Sequence, residues 1–180
     1  MLGKEQKIII AGHGGQGIVL AGNLLAKACI FQNKYVTGMV AYGAEMRGGT
    51  AHATIVISDE EIASPVVEKP NAAIILNHPS LDRFENDLAS GAVVVYNKSL
   101  MKRDPIRTDL KFIGVEATRI AEGLGSFRVA NIVALGAFAA VTKCVSIDSL
   151  AQAIEELFSE KQKSMVQINN EALLRGANLG

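Results

Sequence analysis

Residues 7–18 read Lys7-Ile8-Ile9-Ile10-Ala11-Gly12-His13-Gly14-Gly15-Gln16-Gly17-Ile18. The apolar run at 7–11 is continuous rather than alternating, as expected of a buried strand. The glycines then turn the chain into an apolar helix over Ile18–Phe31, whose polar stripe is only Asn23 and Lys27, so nearly all of its surface is free to pack on a sheet. Gly12, Gly14 and Gly17 satisfy G-x-G-x-x-G in the setting that gives the pattern meaning, after a strand and opening a helix. Glycines allow positive φ and close backbone approach, while free N–H groups and the helix dipole attract a phosphate or carboxylate. Gly12, His13, Gly14, Gly15, Gln16 and Gly17 are therefore the first candidate ligand-binding residues. The same turn also serves, with no ligand, as a tight strand-to-helix connection.

Working outward, residues 35–41 read as a second strand and Thr50–Ser58 as a third, where His52, Thr54 and Val56 alternate with Ala51, Ala53, Ile55 and Ile57. Only residues 42–49 join them. A parallel crossover needs about a dozen residues or more, so the third strand should return antiparallel and the sheet should be mixed. Apolar runs at 72–76, 92–96 and 112–115 read as further strands, with a helix at 81–89 between the first two. Residues 129–141 read as a buried helix interrupted by Asn131; another follows cap residues Ser146 and Asp148, and a last one covers 166–174 and stops at Gly176. The expected architecture is a single domain over residues 1–180, an α/β three-layer α/β/α sandwich with a mixed, Rossmann-like sheet. The basic segment containing Lys98, Lys102, Arg103, Arg107 and Lys111 holds Pro105 and two aspartates, and reads as a solvated loop.

The second candidate element is Tyr-Gly-Ala-Glu-Met-Arg-Gly-Gly at 42–49. If strands one and two are parallel, both glycine-rich loops leave the sheet at the same carboxyl edge, where α/β proteins bind ligands. Arg47 would add a bidentate cationic contact there, beside Gly48 and Gly49. Its alternative role is to pair with Glu45 or a neighbouring subunit.

Composition narrows the classes. The 180 residues are 49% hydrophobic and 20% charged, which places the chain among globular proteins rather than disordered ones. Eighteen basic residues balance eighteen acidic ones, so no overall field draws it to nucleic acid or an anionic membrane. The longest apolar stretch is well short of the roughly 20 residues of a membrane span, and the start carries no signal-peptide pattern, so a cytoplasmic location is expected. Cys29 and Cys144 form no Cys-x-x-Cys motif, and His13, His52 and His78 show no metal-ligand spacing. A nicotinamide dehydrogenase should carry an acid at the end of its second strand, and residues 35–42 hold none.

Three stretches together carry a resemblance: Ile-Ile-Ala-Gly-His-Gly-Gly-Gln-Gly at 9–17, the 42–49 motif, and Val-Ile-Ser-Asp-Glu-Glu-Ile at 56–62, joined near the end by Asn169, Ala172 and Gly176. The chain resembles the gamma subunit of 2-oxoacid:ferredoxin oxidoreductases, over nearly its whole length. That resemblance implies a complex that oxidatively decarboxylates a 2-oxoacid on thiamine diphosphate, passes electrons through iron-sulfur clusters to ferredoxin, and delivers the acyl group to coenzyme A. Two distant cysteines cannot supply a four-thiolate cluster site, and no Gly-Asp-Gly thiamine diphosphate element is present. Thiamine diphosphate, Mg and iron-sulfur clusters are thus expected on alpha, beta and ferredoxin-like delta partners. The resemblance implies that the glycine edge helps hold coenzyme A or shape the partner's active site. The loop 45–49 resembles the 2-oxoglutarate and branched-chain members, and leans toward 2-oxoglutarate. His13 departs from the family pattern. A separate nucleotide-binding module and a purely structural interface subunit remain as alternatives.

Overall fold

The computed structural model describes residues 5–42, 50–158 and 162–180. Six strands form one sheet in the order β2-β3-β1-β4-β5-β6, where β1 is Glu5–His13, β2 Tyr35–Tyr42, β3 Thr50–Ser58, β4 Ala72–Ile75, β5 Val93–Asn97 and β6 Lys111–Val115. The sheet is mixed, as the short 42–49 connection requires: β3 runs antiparallel to both β2 and β1, while β1, β4, β5 and β6 are parallel. β1 and β2 therefore point the same way with β3 between them, and both end beside the start of β3, through the pairs His13↔Thr50 and Tyr42↔Ala51.

Side chains alternate across this sheet into two cores. Ile8, Ile10, Ile55, Ile57 and Ile74 face α1 (Ile18–Phe31), α4 (Ala130–Thr142) and α5 (Ile147–Leu157). Ile9, Ala11, Ala73, Ile75 and Val94 face the short α2 (His78–Phe84), through Leu81 and Phe84. The apolar run of β1 is explained by burial on both sides, since Ile8 and Ile10 are 0% exposed and Ile9 only 3%. The layers are unequal: among the described residues one face also carries α3 (Ala117–Gly123), with α6 (Lys163–Ala177) packed behind α4.

Local boundaries depart from the sequence reading in four places. The strand does not end at Ala11 but runs through Gly12 and His13, which pair with Ala51 and Thr50. α2 starts at His78 rather than 81, because the Asn77 side chain accepts a 2.9 Å bond from Ser80 N–H and Pro79 fits the first turn. α3 gives no apolar run in the sequence and was not expected. α6 continues through Gly176 to Ala177. Gly176 is a contact residue instead of a stop: a Cβ there would strike the Val133 carbonyl of α4, as one at Gly136 would strike the Leu173 carbonyl of α6.

The basic segment is also anchored rather than merely solvated. Glu85 is 3% exposed, accepts N–H bonds from Ile106 and Arg107, and pairs with Arg103 at 3.0 Å. Arg107 reaches back to the Leu88 carbonyl at 2.7 Å. Burial works to raise the Glu85 pKa, but the two backbone N–H groups and the Arg103 guanidinium outweigh it and hold the carboxyl below its usual range.

Candidate functional site

The chain leaves β1 for α1 on one face of the sheet and leaves β4 for α2 on the other. Adjacent parallel strands whose connections depart to opposite faces open a crevice at their carboxyl ends, the usual ligand position in open α/β sheets. A cavity of about 270 Å³ lies there, lined by His13, Gly15 and Gln16 from the glycine loop, Leu76 just beyond β4, Asn97 at the end of β5, Thr118 and Glu122 of α3, and the Phe127–Asn131 corner.

The loop is shaped from within. Gln16 spends its amide on the chain itself: Oε1 accepts the His13 N–H at 2.9 Å and Nε2 donates to the Leu76 carbonyl at 3.2 Å. That carbonyl also takes a 3.3 Å bond from Asn97, whose other contacts are with Thr118, so the cavity wall is braced across three elements. His13 is exposed, and its Nδ1 lies 2.9 Å from the Gly14 carbonyl oxygen.

The glycines divide into two kinds. Gly17 has φ 70°, and a Cβ there would meet the Asn131 amide, so both conformation and packing demand glycine. Gly12 is equally hemmed in by Gln16 and Ile18. At Gly14 and Gly15, by contrast, a Cβ would meet nothing within 4 Å, and Gly14 lacks the positive φ of Gly15. No described residue gives Gly14 a reason to be glycine, and its bareness leaves the outer face of the loop open to close approach.

Of the residues singled out in the sequence, His13, Gly15 and Gln16 line this cavity, Gly12, Gly14 and Gly17 belong to the same loop without lining it, and Arg47, Gly48 and Gly49 lie outside the described residues. Asn97, Thr118, Glu122, Arg128 and Asn131 were not foreseen. They come from three separated stretches, and the one available signal was Asn131, the polar interruption of an apolar helix. Among the described residues no three His, Cys, Asp or Glu side chains gather as metal ligands, and no helix is long and apolar enough to cross a membrane. Cys29 and Cys144 are both buried, and burial pushes the Cys29 thiol up to about 12, with Cys144 adding to the effect and Lys34 opposing it.

Residues 7–179 match the family model described as pyruvate ferredoxin/flavodoxin oxidoreductase. The chain is 34% identical to the 2-oxoglutarate synthase subunit KorC of Methanothermobacter thermautotrophicus over 98% of its own length and 100% of the relative's. It belongs to the gamma-subunit family of 2-oxoacid:ferredoxin oxidoreductases. The gamma subunit of a keto/oxoacid ferredoxin oxidoreductase from Geobacter sulfurreducens superposes with a TM-score of 0.82 at 30% identity, covering 96% of each chain. Other gamma-family relatives are longer: the ketoisovalerate oxidoreductase subunit VorA of Methanothermobacter marburgensis is 36% identical over 97% of this chain, which spans only 36% of that relative. The 2-oxoglutarate:ferredoxin oxidoreductase from Magnetococcus marinus, a structure with 2-oxoglutarate, coenzyme A and succinyl-CoA bound, superposes with a TM-score of 0.90 at 25% identity, over 98% of this chain and 31% of that one.

Proposed function

We propose that this gamma-family chain works within a complex of alpha, beta and delta-type partners that converts a 2-oxoacid to its acyl-CoA with reduction of ferredoxin, and that its own contribution is to bind coenzyme A at the glycine edge. The observation that carries the reading is the crevice between β1 and β4, walled by a glycine loop whose outer residues, Gly14 and Gly15, are bare. The relative with coenzyme A bound, matched over 98% of this chain, supports the choice of ligand. At about 270 Å³ the cavity is smaller than the roughly 300–1,000 Å³ of sites that enclose a drug-sized molecule, so it suits one segment of coenzyme A, the remainder lying against partner chains. The 45–49 motif favours 2-oxoglutarate as substrate.

The thiamine diphosphate and iron-sulfur chemistry belongs to the partners in this reading, because two buried cysteines cannot replace four cluster thiolates. The test is anaerobic purification from the native source, identification of the chains that accompany this one, and assay of the complex with pyruvate, 2-oxoglutarate and 3-methyl-2-oxobutanoate. Coenzyme A-dependent ferredoxin reduction with 2-oxoglutarate as preferred substrate is expected. A chain that purifies alone would overturn the subunit reading, and preference for another 2-oxoacid would overturn the substrate choice alone.

A further inference from the structure

The corner between α3 and α4 supplies groups that the glycine loop does not account for. Phe127–Val129 form a short 3-10 turn leading into α4, and Phe127 and Arg128 both line the cavity. Phe127 is 66% exposed, an unusual position for a large aromatic ring beside a cavity already flanked by exposed Leu100. Two other arginines are engaged within the chain: Arg103 pairs with Asp82 and Glu85, and Arg107 with Asp109. Arg128 has no hydrogen bond or ion pair with any described residue. Glu122 lines the same cavity but is not paired with it, so the guanidinium keeps its charge for something outside the described chain.

A second, independent observation points the same way. Asn131 is 1% exposed and lines the cavity floor; its Nδ2 donates to the Gly17 carbonyl, while its Oδ1 has no partner. An unanswered buried acceptor costs roughly 1–3 kcal/mol, a penalty that natural folds seldom carry without a reason. In the glycine loop, where Gly15 lines the cavity and Gly14 precedes it, the N–H groups of both residues donate to no described residue, and the 14-residue helix α1 presents its positive end. A cation and free N–H groups surround one side of the space, and an acceptor waits at its floor.

We propose that Arg128 is the phosphate anchor of this site, clamping a phosphate of coenzyme A against the Gly14–Gly15 loop, with Asn131 Oδ1 accepting from an N–H or O–H of the same ligand directly or through one water. This is the role the sequence suggested for Arg47. The proposal rests on the coenzyme A reading above but makes a separable claim. A guanidinium offers two parallel N–H bonds to a phosphate, and flanking Phe127 and Leu100 side chains limit the water that would otherwise screen it. An N–H or O–H donor beside a phosphate is also what coenzyme A presents, since its pantetheine arm carries amides and a hydroxyl.

The test is equilibrium dialysis of the intact purified complex against labelled coenzyme A and, separately, against pantetheine, which lacks phosphate, with no 2-oxoacid present. Arg128→Ala should weaken coenzyme A binding by roughly tenfold or more and leave pantetheine binding unchanged, while Arg128→Lys recovers part of the loss. Arg119→Ala, an exposed α3 residue outside the cavity lining, should change neither. Because Arg128 is exposed and holds no other group, thermal melting of the variant should match the wild type. Equal coenzyme A binding by wild type and Arg128→Ala would overturn the anchor while leaving the coenzyme A reading intact. An equal loss for pantetheine would overturn the phosphate assignment. A wild-type complex that binds no coenzyme A would sink both.

Discussion

Asn131 Nδ2 donates a 3.0 Å hydrogen bond to the Gly17 carbonyl oxygen, joining the glycine loop to the first turn of α4 across 114 residues of sequence. The contact is tight from both directions. Gly17 has φ 70°, and a Cβ there would press on the same Asn131 amide. Asn131→Ala should cost about 1–3 kcal/mol through the lost bond. Gly17→Ala should cost more, since a left-handed conformation adds roughly 1–2 kcal/mol to the steric clash. In the Asn131→Ala background the clash disappears and only the backbone strain remains, so the double mutant should lose less than the sum of the singles. Urea unfolding of the four proteins measures this coupling; strict additivity would contradict the contact.

The contact between α4 and α6 reverses an ordinary helix rule. Gly→Ala within a helix usually stabilises by about 0.5–1 kcal/mol. At Gly136 and Gly176 the new methyl would strike a carbonyl of the opposite helix, Leu173 and Val133 respectively, and backbone cannot rotate aside as a side chain can. Either substitution should therefore destabilise the fold, by at least the 1–3 kcal/mol typical of overpacking. Thermal melting settles the sign, and a raised Tm for Gly176→Ala would show that the helices are further apart than described.

Acid sensitivity should trace in part to Glu85. Its folded pKa lies below the ordinary value of 4.5, because Arg107 N–H, Ile106 N–H and Arg103 together outweigh the effect of burial. A depressed carboxyl pKa contributes stability that is fully present above the unfolded value and is lost as pH falls through the folded one. Glu85→Gln should cost about 1.5–3 kcal/mol at pH 7, and the gap from wild type should narrow steadily below pH 4.5. Denaturant unfolding at several pH values between neutrality and acid checks this. A gap independent of pH would mean that Glu85 acts by shape alone.

The parts of this fold that announce themselves in the sequence are those governed by local spacing. The apolar run before the glycines, the alternation over Thr50–Ser58 and the short 42–49 connection together dictate a mixed sheet with β3 reversed. Gly176 misled because glycine serves two purposes: it ends helices by adopting positive φ, and it lets two helices touch, and only the packing of α6 on α4 distinguishes them. The Glu85 clamp was hidden for a similar reason, since its partners lie 18 to 22 residues away across a loop that reads as solvated. At the candidate site the glycine loop was legible because its chemistry is contiguous. Its opposite wall was not, because Asn97, Thr118, Arg128 and Asn131 meet only after β5, α3 and α4 have packed.

Gly14 offers the cleanest separation of fold from function. Gly12 and Gly17 are glycine for internal reasons, and Gly15 needs its φ of 95°, but at Gly14 a Cβ would meet nothing within 4 Å and φ is not positive. Gly14→Ala should leave stability within about 0.5 kcal/mol of wild type, the ordinary range for a surface change. If a ligand's phosphate lies against the loop, however, the new methyl occupies part of the closest approach, and the Gly14 N–H can no longer reach it at hydrogen-bond distance. Loss of one charge-assisted bond is worth about 1.5–3 kcal/mol, so coenzyme A binding to the intact complex should weaken by roughly tenfold or more. The pair of measurements is a melting curve and an equilibrium binding isotherm on the same preparation. Unchanged melting with weakened binding places the ligand on this face of the loop, whereas unchanged binding would move it elsewhere along the carboxyl edge and leave Gly14 without a role in recognition.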